Sequence, residues 1–275
     1  MTNGAPHPAP TTVDTSRASI ARVYDVGLGG KDNFEVDRAV VNSILDVDPD
    51  ACAMARAIRR WLIRAVGYLS GNAGFDQFLD LGAGLPTVEN THETAQRFNR
   101  DATVVYVDND PAVNAYGRAI LTSNEQTRFA TADLRRPAEV LAAPEVSRLD
   151  FSRPLVLLQC ATLHHVEDAD DPRGFMREYV DALPSGSYVG ITHWWNPADG
   201  TEAEQHALEL ERRWRNSSMQ SGRYRTREEI APFFDGLELV EPGLVEMDEW
   251  WPAGPKLDEP NLTQRLVLAG LGRKP

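Results

Sequence analysis

Cysteine is scarce, with Cys52 and Cys160 the only two in 275 residues. Two cysteines make no disulfide framework, no thiolate metal quartet and no redox pair. Cys160 sits inside an apolar run and reads as a small core residue. Lysine is also short: Lys31, Lys256 and Lys274 are three of 28 basic residues. That bias hints at a GC-rich genome and carries no chemistry. No apolar run approaches the length of a membrane span. Residues 1–16, rich in Pro and Thr, lack the charged-then-apolar layout of a signal peptide. The expectation is a reduced, cytoplasmic protein. Positive charge is in deficit, at a formal net charge of −13. Nucleic-acid backbones and anionic membranes would be repelled over most of such a surface, so neither is expected as a partner. Arg56, Arg59, Arg60 and Arg64 form a local exception, and their helical spacing predicts a solvated helix face.

What is present is the pattern of a soluble α/β protein, 42% hydrophobic and 25% charged. Residues 1–16 read as a disordered tail and 17–73 as a helical segment. Within it, residues 38–46 form a short helix with Val40, Val41, Ile44 and Leu45 inward. A longer helix over 51–69 closes at Gly71 as its C-terminal cap. From residue 74 onward, apolar runs at 77–81, 103–107, 127–130, 154–160 and 187–192 alternate with helical stretches near 90–99, 111–123, 171–182 and 201–217. Apolar strands joined by helices predict a parallel sheet covered on both faces. Two strand-like runs at 237–247 and 262–269 have no helix between them and predict a terminal antiparallel hairpin.

In such sheets ligands bind beyond the carboxyl ends of the strands. Residues 78–87 run from an apolar strand into a glycine turn, with Asp80 just ahead of Gly82 and Gly84. Glycine lets the backbone approach a ligand closely. The acid disfavours a diphosphate and suits a cation such as S-adenosylmethionine, which carries an ammonium and a sulfonium. A dinucleotide fingerprint wants a third glycine and an immediate helix; here Pro86 intervenes and the helix starts at Asn90, with Glu93 completing a capping box. A tight turn with no ligand is the alternative.

Asp108 ends the second strand, where an acid can accept both hydroxyls of a ribose. Its alternative role, capping the next helix, suits Asp110 better. Asp133 follows the third strand; its carboxylate can accept from an adenine amine while the Leu134 N–H reaches a ring nitrogen, or it can simply form a turn. Asn109 and Gln159 lie at the same strand ends. After the fourth strand come His164 and His165, and at the end of the fifth comes His193. Each is a candidate general base or a structural hydrogen-bonder. Adjacent histidines cannot share one face, so no metal site is expected. Trp194, Trp195, Trp250 and Trp251 can wall an acceptor pocket or fill the core.

These motifs, with the 183–187 segment before the fifth strand, resemble class I S-adenosylmethionine-dependent methyltransferases over about residues 75–270. More narrowly, Ala21-Arg22-Val23-Tyr24-Asp25, Gly29-Gly30-Lys31-Asp32-Asn33-Phe34 and Asn90-Thr91-His92-Glu93 resemble a bacterial S-adenosyl methyltransferase family formerly listed as a domain of unknown function. The resemblance implies a Rossmann-like, seven-stranded sheet, mostly parallel with an antiparallel C-terminal strand. It also implies an N-terminal helical lid over 17–73 and a cofactor-binding domain over 74–275. By the same analogy Asp80, Gly82 and Gly84 hold the methionine end, Asp108 the ribose, and Asp133 with Leu134 the adenine. Tyr24 and Asn33 would then reach polar atoms of the cofactor, with Gly29 and Gly30 as a hinge and Lys31 offsetting nearby acids. A solvated loop is the bland alternative. The expected activity is S-adenosylmethionine-dependent methylation of a small-molecule acceptor. A non-catalytic cofactor sensor is the second reading, and a nicotinamide oxidoreductase, disfavoured by Asp80, the third.

Overall fold

The computed structural model describes residues 13–86, 89–120, 125–250 and 259–275. The first twelve residues of the expected tail, and Trp251, lie outside the described residues. Three helices come first: α1 (Ile20–Leu28), α2 (Glu35–Leu45) and α3 (Cys52–Gly71). Strands and helices then alternate through β1 (Gln77–Leu81), α4 (Thr91–Phe98), β2 (Thr103–Asp108), α5 (Pro111–Ile120), β3 (Thr127–Thr131), α6 (Pro137–Leu141), β4 (Val156–Cys160), α7 (Pro172–Ala182) and β5 (Tyr188–Trp194). The chain ends with α8 (Glu202–Asn216), α9 (Arg227–Ile230), β6 (Glu238–Leu239), β7 (Val245–Glu246), α10 (Leu262–Arg265) and β8 (Val267–Arg273).

The sheet runs β3-β2-β1-β4-β5-β8-β6, with β7 also pairing to β8. Strands β1 to β5 are parallel, and β8 lies antiparallel to β5 from Tyr188↔Arg273 to Trp194↔Val267. The sheet therefore has eight strands where seven were expected, because the run at 237–247 yields two strands of two residues each. Pro242 and Gly243 separate them, and neither supports continuous pairing. At the other end of the expected hairpin, residues 262–265 form a helical turn. The Asn261 side chain accepts from the Gln264 N–H at 2.8 Å, and the strand proper starts at Val267.

The strands are apolar throughout because both faces are covered. Phe78, Val104 and Leu158 face α3, packing with its Trp61, Leu62 and Leu69. Leu79, Leu81, Val105 and Leu157 face the opposite side, with Phe175, Met176 and Val180 of α7. Gly71 ends α3 without capping it: Asn72 is the cap, and a Cβ on Gly71 would stand 2.8 Å from the Phe98 ring of α4. That glycine permits a close helix crossing. Among the described residues no helix is long and apolar enough to cross a membrane.

The N-terminal segment is built around two buried acids. Asp37 pairs with Arg22 at 2.8 Å and also accepts from the Ser19 and Phe34 N–H groups, tying α1 to α2. Asp25 accepts from the Asp32 N–H and from Asn33 Nδ2. Gly29 caps α1 at φ 79°, and a Cβ on Gly30 would fall 1.9 Å from an Asp25 carboxylate oxygen. Both glycines build a defined turn against Asp25, at the place of the expected hinge. From that turn Asp32 accepts from the Tyr116 hydroxyl of α5 at 2.5 Å.

Candidate functional site

Strand order reverses between β1 and β4, and a cavity of about 540 Å³ opens at the carboxyl ends there. Its lining gathers Asp80, Gly82 and Gly84 after β1, Asp108 and Asn109 after β2, Asp133 and Leu134 after β3, and His165 after β4. Tyr24 of α1 and Arg59 of α3 cover it from the helical segment. The three strand-end acids therefore surround one hollow, as their spacing predicts.

Each acid has a distinct environment. Asp80 is buried, accepts from the Thr91 hydroxyl at 2.6 Å and lies near the Arg59 guanidinium. Burial raises its pKa, while Thr91 and Arg59 pull the other way. Thr91 opens α4, and Asn90 caps that helix by donating its N–H to Glu93 at 2.7 Å, as the capping-box reading expects. Asp108 accepts from the Gly84 N–H at 2.9 Å and the Asp110 N–H at 2.9 Å. Desolvation outweighs these bonds and lifts its pKa to about 6. Asp133 is gripped by Arg135, with Nη2 at 2.6 Å and Nε at 3.0 Å, and its pKa is lowered chiefly by that bond. The remaining lone pairs of Asp133 are what a ligand amine would meet.

At Gly82 no side chain fits. A Cβ on Gly82, at φ 76°, would stand 2.3 Å from Thr162 Cγ2. Gly84, at φ 66°, has nothing within 4 Å of that position among the described residues, so its backbone is open to a ligand.

The histidines separate. His165 lines the cavity, its Nδ1 lies 3.0 Å from Ser221 Oγ, and burial drives its pKa to about 3. His164 is buried and stacks on Trp194 at 4.0 Å between centroids. His193 lies outside the cavity lining. Arg225 Nη1 donates to its Nε2 at 2.9 Å, so Nδ1 carries the proton and donates to the Trp194 carbonyl at 2.7 Å. Gln159 is fully buried, accepts from the Thr162 hydroxyl at 2.6 Å and also lies outside the lining. Asn33 serves the Asp25 turn, and the Tyr24 hydroxyl donates to the Ala55 carbonyl at 3.1 Å. Lys31 is exposed and makes no ion pair among the described residues. Trp250 fills the core edge-on to Trp61, and Trp195 lies under Arg227.

Arg59 departs from the expected solvated face: it is half-buried in the cavity wall. Arg64 also turns inward, donating to the Met247 carbonyl at 2.9 Å, while Arg56 and Arg60 are exposed. The signal was present, since Arg59 follows Ala55 by four residues and precedes Leu62 by three. Arg225 had no such signal. Its guanidinium donates to the Leu163 and Val166 carbonyls on either side of the two histidines and pairs with Asp168.

Comparison with known proteins gives the family and the fold. A family profile described as S-adenosyl methyltransferase matches residues 6–275. A candidate methyltransferase from Thermobifida fusca YX is 44% identical, with 95% of this chain and 96% of that one covered and a TM-score of 0.87. A DUF574 family protein from Streptomyces avermitilis is 37% identical over 96% of this chain and 100% of its own, at a TM-score of 0.89. An O-methyltransferase family protein from Burkholderia thailandensis shares only the fold, at 14% identity and a TM-score of 0.50 over 77% of this chain and 55% of that one. No curated protein matches the chain. The chain belongs to the S-adenosyl methyltransferase family, whose cofactor is S-adenosylmethionine.

Proposed function

We propose that this protein transfers a methyl group from S-adenosylmethionine to a small-molecule acceptor, and that the acids at three successive strand ends hold the cofactor. One observation carries the reading: Asp80, Asp108 and Asp133 share a single cavity of about 540 Å³, within the range of small-molecule sites. The residues suit the cofactor. The open space beside Gly84 leaves room for a nucleoside against the backbone, and the acids outnumber Arg59 and Arg135 in a wall that favours a cationic ligand.

In this reading Asp108 accepts the ribose hydroxyls, Asp133 and Leu134 meet the adenine, and Asp80 with the Gly82–Gly84 backbone faces the methionine end. Bound S-adenosylmethionine supplies an electrophilic methyl on a sulfonium. The protein's share is alignment and exclusion of water. Tyr24 and Arg59 close the cavity from above. His165 stays neutral, because burial holds its pKa near 3, so it does not repel the sulfonium. With Nδ1 engaged by Ser221, Nε2 is the atom that accepts a hydrogen bond from an acceptor O–H or N–H and so orients it.

Isothermal titration with S-adenosylhomocysteine tests the cofactor half, with binding expected to be lost in Asp108→Ala. Heat release unchanged by that substitution would remove the ribose assignment. Transfer of label from radiolabelled cofactor to a small molecule in an extract tests the enzymatic half. Label appearing only in protein would overturn the small-acceptor reading.

A further inference from the structure

Beside the main cavity lies a second hollow of about 50 Å³. The two share Ile20, Tyr24, Ile58, Ala161, His165 and Met219 as common wall. Helices α1, α2 and α3 roof the small hollow through Val23, Ile44 and Met54, and its far side is formed by His164, Trp194 and Trp214. Trp194 stacks on His164 at 4.0 Å and on Trp214 at 5.3 Å, so that side is a slab of parallel rings.

Two properties of this lining restrict its occupant. Among the described residues no Asp, Glu, Lys or Arg contributes to it. Burial holds His164 and His165 well below their ordinary pKa, so both imidazoles are neutral as well. A charged group placed there would be desolvated without a counter-ion. The second property is a pair of unmade hydrogen bonds. Trp194 Nε1 and His164 Nδ1 are buried and have no partner among the described residues. Buried donors and acceptors are rarely left so, and both belong to rings in the wall.

We infer that this hollow is the subsite for the methyl acceptor, and that the acceptor presents to it an uncharged, flat edge bearing one hydroxyl or ring N–H, as a neutral phenol does. The inference rests on the methyl-transfer reading above. Ring stacking and apolar packing hold the face of the acceptor, and the indole N–H of Trp194 or Nδ1 of His164 meets its polar atom. His165 belongs to both hollows and so stands between the acceptor and the cofactor cavity. A volume of about 50 Å³ is well under the roughly 150 Å³ of a cavity that takes up benzene. The hollow therefore receives an anchoring edge, while the reacting group of the acceptor extends past Met219 towards the larger cavity.

Saturation-transfer NMR titrations in the presence of S-adenosylhomocysteine test this, with 4-methylphenol, 4-methylbenzoate and 4-methylbenzylamine as probes that carry a neutral, an anionic and a cationic group on the same edge. The expected result is 4-methylphenol binding at least tenfold tighter than either charged probe. Ala55→Leu fills the hollow from α3, where Ala55 lines this hollow and not the cofactor cavity. It should weaken 4-methylphenol at least tenfold and leave S-adenosylhomocysteine signals unchanged. Cys52→Phe, also on α3 and in the same lining, provides an independent occlusion should Ala55→Leu disturb folding. Charged probes binding as tightly as the neutral one, absent 4-methylphenol binding, or an unchanged 4-methylphenol affinity in a folded occlusion variant would overturn the subsite. Failure of S-adenosylhomocysteine to bind the unaltered protein would instead sink the methyl-transfer reading.

Discussion

Replacing Asp108 with asparagine should stabilise the unliganded protein at neutral pH while weakening its hold on the cofactor. Burial raises the Asp108 pKa from 3.8 to about 6, so the folded state holds this proton more tightly than the unfolded chain. The associated stability is fully present below about pH 4 and is lost as pH rises through about 6. A shift of about two pKa units corresponds to ~3 kcal/mol. Asparagine carries no charge and escapes that loss. It offers only one accepting oxygen to the two N–H groups of Gly84 and Asp110, which costs about 1 kcal/mol. The side chain also borders the cavity, where partial solvation trims the gain further. A net stabilisation of roughly 1–2 kcal/mol at pH 7.5 follows. Urea denaturation without ligand measures it, and the advantage should vanish by pH 4.5, where the wild-type carboxyl is largely protonated. In parallel, S-adenosylhomocysteine should bind roughly 10- to 100-fold more weakly, reflecting the loss of a charged acceptor worth ~1.5–3 kcal/mol. A variant less stable than wild type at pH 7.5, by the same amount as at pH 4.5, would refute the burial argument.

Further substitutions test other parts of the structure. Gly82→Ala should abolish cofactor binding by pressing a methyl against Thr162, and adding Thr162→Ser, which removes the clashing Cγ2, should restore part of it in titration calorimetry. Arg22→Met leaves Asp37 charged and unpaired in the interior, a change expected to cost about 3–5 kcal/mol and to expose residues 13–45 to limited proteolysis. His165→Ala, which removes the group that orients the acceptor, should lower methyl-transfer turnover about 100-fold with cofactor affinity intact. Because His165 is already deprotonated above about pH 3, the wild-type rate profile should show no limb near pH 6.5 that the variant removes.

The parallel sheet was legible because each strand is apolar on alternate faces that both meet helices, as Phe78 and Leu79 do on β1. The C-terminal strands were less so. Leu262 looks like strand until Asn261 caps a helical turn over it, a local hydrogen bond that outweighs an apolar pattern. In the site, what depends on chain position was readable: the glycine turn, and an acid at each of three strand ends. What depends on side-chain partners was not. The sequence does not show that Arg225 reaches back across 32 residues to occupy His193, or that Asn33 is drawn to Asp25. The arginines of α3 mislead for a related reason, since four charges suggest a solvated face while Arg59 and Arg64 are half-buried.

Helix α3 has two jobs with one set of residues. Its Trp61, Leu62 and Leu69 cover a face of the sheet, while Ile58 and Arg59 roof the main cavity. Opening the roof at this helix therefore means loosening the sheet's own cover, so admission of ligand and integrity of the interior draw on the same cooperative unit.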